Sequence, residues 1–161
     1  MSTFAFLLLM SSVAAQITEQ ELQTQKETFT WRYGASVLGE IDVPAGFTAD
    51  TWNYTEGIVT TLKYADGSSI LLQKGFMYRI PMFQDAEDIL DSTKEQATKT
   101  IRRGHYKGKT DRWGEVDYKS PVKTVQPGFF GAVAPNLGYA HVPRKKAKEF
   151  ADALLSFRLP E

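Results

Sequence analysis

Apolar and polar residues alternate through much of this chain, with the two-residue period of a strand that buries one face. Phe29, Trp31 and Tyr33 alternate with polar neighbours. Val37, Gly39, Ile41 and Val43 keep the same period up to Pro44-Ala45-Gly46, a turn signal. Ile58, Thr60, Leu62 and Tyr64 line one face of a further strand. Ile70, Leu72 and Phe76 return on the next, with Lys74 interrupting the pattern. Asp66-Gly67 between them predicts a hairpin closed by a two-residue type I′ turn. Short β-like runs follow at 99–107, 112–119, 122–126, 129–134 and 137–141. Asp111, Gly114, Pro121, Pro127, Gly128, Pro135 and Asn136 punctuate them.

Helical spacing occurs at three places. Thr18-Glu19-Gln20-Glu21 forms a capping box with Ile17 and Leu22 as its hydrophobic staple, predicting a short helix or mobile arm over 16–28. Asp85 suits an N-cap, Glu87 and Asp88 suit a first turn, and Ala86, Ile89, Leu90 and Ala97 share a face. Pro143 suits a first helical position, and Ala147, Phe150, Ala151, Leu154 and Leu155 make a stripe at i, i+3, i+4, i+7 and i+8. Many strands with two good helices predict an α+β fold: an antiparallel twisted sheet with two helices packed on it, the C-terminal one amphipathic. A parallel sheet would need crossover helices for which the spacing leaves no room.

The front of the chain changes the domain picture. Phe4 to Met10 is an apolar run, and Val13 and Ala15 have the small-residue spacing of a cleavage site that leaves Gln16 as the new terminus. The expected organisation is a signal peptide at 1–15, a helix or arm at 16–28 and one α+β domain at 29–161. The product would be secreted or periplasmic. The apolar run is far short of the roughly 20 residues of a membrane span. A chain of 161 residues suits one domain with a sizeable core. It has no cysteine, which excludes disulfides, thiol catalysis and thiolate metal sites.

Net charge is zero but badly mixed. Residues 16–92 carry 12 acidic and 5 basic side chains, a net of −7, and residues 93–161 carry 7 and 14, a net of +7. Either the halves meet in the fold or a basic face serves an anionic partner. Two clusters hold the positive charge. Arg102, Arg103, Lys107, Lys109 and Arg112 surround His105, Tyr106 and Trp113, while Arg144, Lys145, Lys146 and Lys148 crowd the start of the last helix. Cations in a first helical turn oppose the helix dipole at about 0.3–1 kcal/mol each, so an anion should offset them. The candidate binding residues are therefore Arg102, Arg103, His105, Tyr106, Trp113, Arg144, Lys145 and Lys146, and the expected partner is an acidic protein. Zero net charge, a pI near 6.7 and export argue against nucleic acid.

Catalytic chemistry finds little support. The two histidines, His105 and His141, have no short-range metal-ligand spacing, and His105 sits among cations. The stretch from Gly104 through Gly108-Lys109-Thr110 imitates a P-loop but is one residue short and opens no helical pattern. No G-x-S-x-G elbow occurs. No catalytic residue, metal ligand or cofactor is assigned.

Asn136-Leu137-Gly138-Tyr139-Ala140-His141-Val142-Pro143 runs on through Lys148-Glu149-Phe150 to Leu154-Leu155-Ser156-Phe157. With the hairpin Tyr64-Ala65-Asp66-Gly67-Ser68-Ser69-Ile70, this stretch resembles small exported proteins of Bacteroidetes-type bacteria. Its closing helix is similar to that of Mog1/PsbP-like α/β sandwiches. The resemblance implies the α+β fold and export, and it carries over no catalytic residue. Three functions follow as expectations. The first is an exported binding protein of inhibitor or immunity type. The second is a small hydrolase or ligand-binding domain with a pocket lined by Trp52, Tyr54, Tyr78 and Trp113. The third is a structural envelope protein.

Overall fold

Strands form at nine places in the computed structural model, which describes residues 25–54, 57–75, 87–119 and 134–160. The strands are β1 (Lys26–Tyr33), β2 (Ser36–Pro44), β3 (Phe47–Tyr54), β4 (Gly57–Tyr64), β5 (Ser69–Gly75), β6 (Asp88–Glu95), β7 (Lys99–Tyr106), β8 (Arg112–Tyr118) and β9 (Asn136–Val142). Among the described residues one α-helix, α1 (Ala147–Leu155), follows a 3₁₀ turn at Arg144–Lys146. β1 and β2 form a two-stranded ribbon, and the other seven form a sheet in the order β3-β4-β5-β9-β8-β7-β6. Every pairing is antiparallel. Among the described residues no helix is long and apolar enough to cross a membrane.

The β4–β5 hairpin forms where its alternation places it. Its loop is longer than the expected two residues: Gly67 alone has positive φ, +86°, while Asp66 does not. The Asp66 carboxylate accepts a hydrogen bond from the Ser68 backbone N–H, and the Tyr64 N–H reaches back to the Ser68 carbonyl. A four-residue loop with glycine in the left-handed region results, because an Asx turn competes with the type I′ conformation at Asp66.

The ribbon and α1 both cover one face of the large sheet. Ile58 and Leu62 of β4, Ile70 and Leu72 of β5, Leu137 and Tyr139 of β9, Val116 of β8 and Ile101 of β7 supply that face. Trp31 of the ribbon is buried against it and donates its indole N–H to Thr60 at 3.0 Å. On the helix, Phe150, Ala151, Ala153 and Leu154 are buried, as the stripe predicts for three of its five positions; Ala147 and Leu155 are half-buried. The chain after the helix ties the layers together. The Phe157 ring meets Trp31 edge-on at 6.4 Å, and Arg158 bridges to Glu40 of β2 through paired backbone hydrogen bonds.

The expected two-helix α+β class is overturned: the described residues are mostly β, with one short helix. The helix expected from Asp85 is instead β6, at least from Asp88 onward, hydrogen-bonded along β7. Its Ile89 and Leu90 are 39% and 55% exposed, so the spacing taken for a buried helical face buries little. An edge strand with both faces largely in water has no reason to alternate, and Ser92 and Thr93 favour extended backbone over helix. Lys26 to Thr28, expected in the first helix or arm, also extend as strand β1. Pro143 sits outside the α-helix, with extended φ and ψ of −52° and 137°, and is followed by the 3₁₀ turn. The signal peptide, the capping box, Phe76, Tyr78, Asp85, Ala86 and the run 122–126 fall outside the described residues, as does 129–134 except for Ala134.

Candidate anion-binding cleft

α1 packs on β2, β8 and β9, and the sheet continues past it to β7 and β6. The uncovered step between helix and outer strands is a cleft of about 500 Å³. Side-chain alternation decides what faces it. Ile101 joins the core, so Arg103 and His105 lie on that same face of β7 and Arg102 on the opposite one. Arg103 lines the cleft together with Arg112 of β8, and Arg144 closes it from the turn before α1. Tyr139 forms the floor. Its ring lies across Gly114, its register partner on β8, where a Cβ would overlap the ring. Burial raises the Tyr139 phenol above its ordinary value, with the charges of Arg103 and Arg112 pulling the other way.

A β-bulge brings an acid to the cleft. Leu90 pairs with Gly104 and Ser92 with Arg103, leaving Asp91 as the extra residue. Bulges re-aim side chains at sheet edges, and this one turns Asp91 back over the core-side face. Asp91 contacts His105 Nδ1 at 2.7 Å and accepts from Arg112 at 3.2 Å. In sequence His105 sits among cations, a poor setting for a base that needs a carboxylate. The fold supplies one from β6.

The eight residues expected to bind separate into distinct roles. Arg103 and Arg144 are exposed, line the cleft and make no ion pair among the described residues. Lys145 is exposed outside the cleft lining. Lys146 turns to the β4–β5 loop and donates to Asp66 at 2.7 Å, which holds that carboxyl down at about 2. Arg102 is tied to Glu115 on the far face at 3.2 Å. Tyr106 is buried, stacks on the His141 ring at 4.6 Å and accepts from the His141 backbone N–H; burial pushes its hydroxyl up to about 12. Trp113 is buried and donates its indole N–H to the His105 carbonyl. Both aromatics are buried, and neither lines the cleft. Trp52 and Tyr54 lie on edge strand β3, four strands away from Trp113 on β8. At about 4.8 Å per strand they do not share a pocket with it. Tyr78 lies outside the described residues.

The oppositely charged halves largely meet each other. Arg158 pairs with Glu40 and Asp42, Lys146 with Asp66, Lys109 with Glu87, and Arg112 with Asp91. The cleft keeps the surplus: Arg103, Arg112, Arg144 and Lys148 against Asp91 and Asp152. Lys148 and Asp152 pair with each other along the helix at 2.6 Å.

Sequence reasoning missed a second feature. Gln73, Asn136, Asp117, Thr100 and Glu95 stand opposite one another in a row across β5, β9, β8, β7 and β6, on the face away from the core. The first four are buried, and so is Glu115 beside them, which accepts from Asn136 at 2.6 Å. The signal was present as polar residues at the off-beat positions of strands, but only strand order puts them in line. Among the described residues no group of His, Cys, Asp and Glu is placed to hold a metal ion. No family model, no curated protein and no solved structure matches this chain.

Proposed function

We propose that the protein is an exported binding protein whose recognition site is the cationic cleft between α1 and the β6–β7 edge, and that its partner presents an anionic group there. One observation carries this reading: Arg103 and Arg144, from the two separate basic clusters, line the same space with no acid among the described residues paired to either. Every other cation lining that space already has a carboxylate. A cleft lined by charges of one sign attracts a ligand of the opposite sign. An acidic protein partner fits this reading.

The test is a calorimetric titration of the full chain with a hexaglutamate peptide at low and at physiological salt. Binding is expected to weaken as salt rises and to be lost in the R103Q/R144Q double variant. Binding indifferent to both changes would defeat the reading.

A second reading has its own observation. His105 Nδ1 contacts Asp91 beside the cleft, the arrangement that orients an imidazole as a general base. On that reading the protein is a small hydrolase, and turnover of p-nitrophenyl acetate that vanishes in H105Q would establish it over simple binding.

A further inference from the structure

The structure assigns a specific chemistry to the anion, a deepening that rests on the cleft reading above: we propose that the site takes a phosphate monoester dianion. Arg103 arrives from β7, Arg112 from β8 and Arg144 from the turn ahead of α1, so arginines line one space from both the sheet and the helix side. A guanidinium offers a planar fork of donors that matches pairs of phosphate oxygens. A monoester has three terminal oxygens to share among such forks. A carboxylate has two.

The charge count points the same way. Lys148 is neutralised by Asp152, and Arg112 by Asp91, leaving Arg103 and Arg144 unmatched among the described residues. A phosphate monoester carries nearly two negative charges above its second pKa near 6. A single carboxylate would leave one guanidinium without a counter-charge. Asp91 is also shared between Arg112 and His105, so Arg112 can turn part of its fork to an incoming oxygen while Asp91 keeps its hydrogen bond to the imidazole. The cleft volume of about 500 Å³ lies within the usual range for small-molecule sites, which leaves room for the organic group that bears the phosphate. The Tyr139 ring supplies an apolar floor for that group. The phosphate can be carried by a small organic ester or by a phosphorylated side chain of a peptide; the recognised chemistry is the same.

The experiment uses the full chain with labelled arginine side-chain nitrogens, in phosphate-free buffer at pH 7.5. It is titrated separately with phenyl phosphate, a short phosphoserine peptide, benzoate and hexaglutamate. Phenyl phosphate is expected to shift the Arg103 and Arg144 resonances saturably and to bind at least about tenfold more tightly than benzoate. R103Q and R144Q should each weaken it about tenfold or more, while K145Q, altered outside the cleft, should leave it unchanged. Tighter binding of the phosphoserine peptide than of phenyl phosphate identifies a peptide source, and the reverse identifies a small ester. Benzoate binding as tightly as phenyl phosphate overturns the proposal, and so does phosphate binding that ignores both arginines. If hexaglutamate binds through Arg103 and Arg144 while phenyl phosphate does not, the phosphate assignment falls and the anion-binding reading stands. If neither binds, both fall.

Discussion

Replacing Thr60 by valine tests how the ribbon is fastened to the large sheet. Thr60 is fully buried on β4, and its hydroxyl oxygen accepts the indole N–H of Trp31, itself 1% exposed. Valine keeps the shape and removes the acceptor, so the Trp31 N–H is left buried without a partner. An orphaned buried donor costs about 1–3 kcal/mol, more than the net worth of the hydrogen bond itself. For a chain of this length each kcal/mol lowers Tm by about 2–4 °C, so T60V should melt about 2–12 °C below the parent. W31F removes the donor instead. It leaves Thr60 satisfied by the Thr51 hydroxyl at 2.9 Å, and its cost comes from lost volume. The double variant W31F/T60V has no orphan and should cost less than the two single changes combined. Thermal and urea unfolding followed by far-UV circular dichroism are the suitable assays, because Trp52 is 70% exposed and W31F removes a buried fluorophore. Strict additivity, or T60V as stable as the parent, would refute the claim that this hydrogen bond joins the two sheets.

Leu154→Ala should cost about 2–5 kcal/mol in urea unfolding, since Leu154 is fully buried where α1 meets the sheet. Gly114→Ala should destabilise by about 1–3 kcal/mol and alter the near-ultraviolet spectrum, because the new methyl overlaps the Tyr139 ring that floors the cleft. The Asp66 carboxyl is held at about 2 chiefly by the hydrogen bond from Lys146. A depressed carboxyl of this kind adds stability that is complete above about pH 4 and fades as pH falls through about 2. K146M should return Asp66 towards the ordinary aspartate range in a carbon-detected carboxyl titration; an unmoved Asp66 would mean Lys146 does not hold it.

Local pattern was legible wherever a strand or helix has one dry face. Ile58, Thr60 and Leu62 alternate because β4 is buried on that side, and Phe150, Ala151 and Leu154 recur at helical spacing because α1 rests on the sheet. β6 was misread for the converse reason: both its faces are largely wet, so Ile89 and Leu90 carried a chance helical spacing with no burial behind it. Of the candidate site, composition alone located the two basic clusters. It did not separate Arg103, on the cleft face, from Arg102 on the other, because that depends on which side of β7 holds Ile101 against the core.

By itself, then, the amino-acid order determined the period of each one-sided element, the antiparallel hairpin at Asp66-Gly67 and the amphipathic closing helix. Those properties follow from neighbours a few residues apart. Tertiary structure decided that β9 sits between β5 and β8, that Asp91 is the bulged residue opposite β7, and that Arg144 comes to the same cleft as Arg103. Strand partners and sheet edges are chosen by total burial and by hydrogen bonding between distant segments, and that choice is written in no single stretch of the chain.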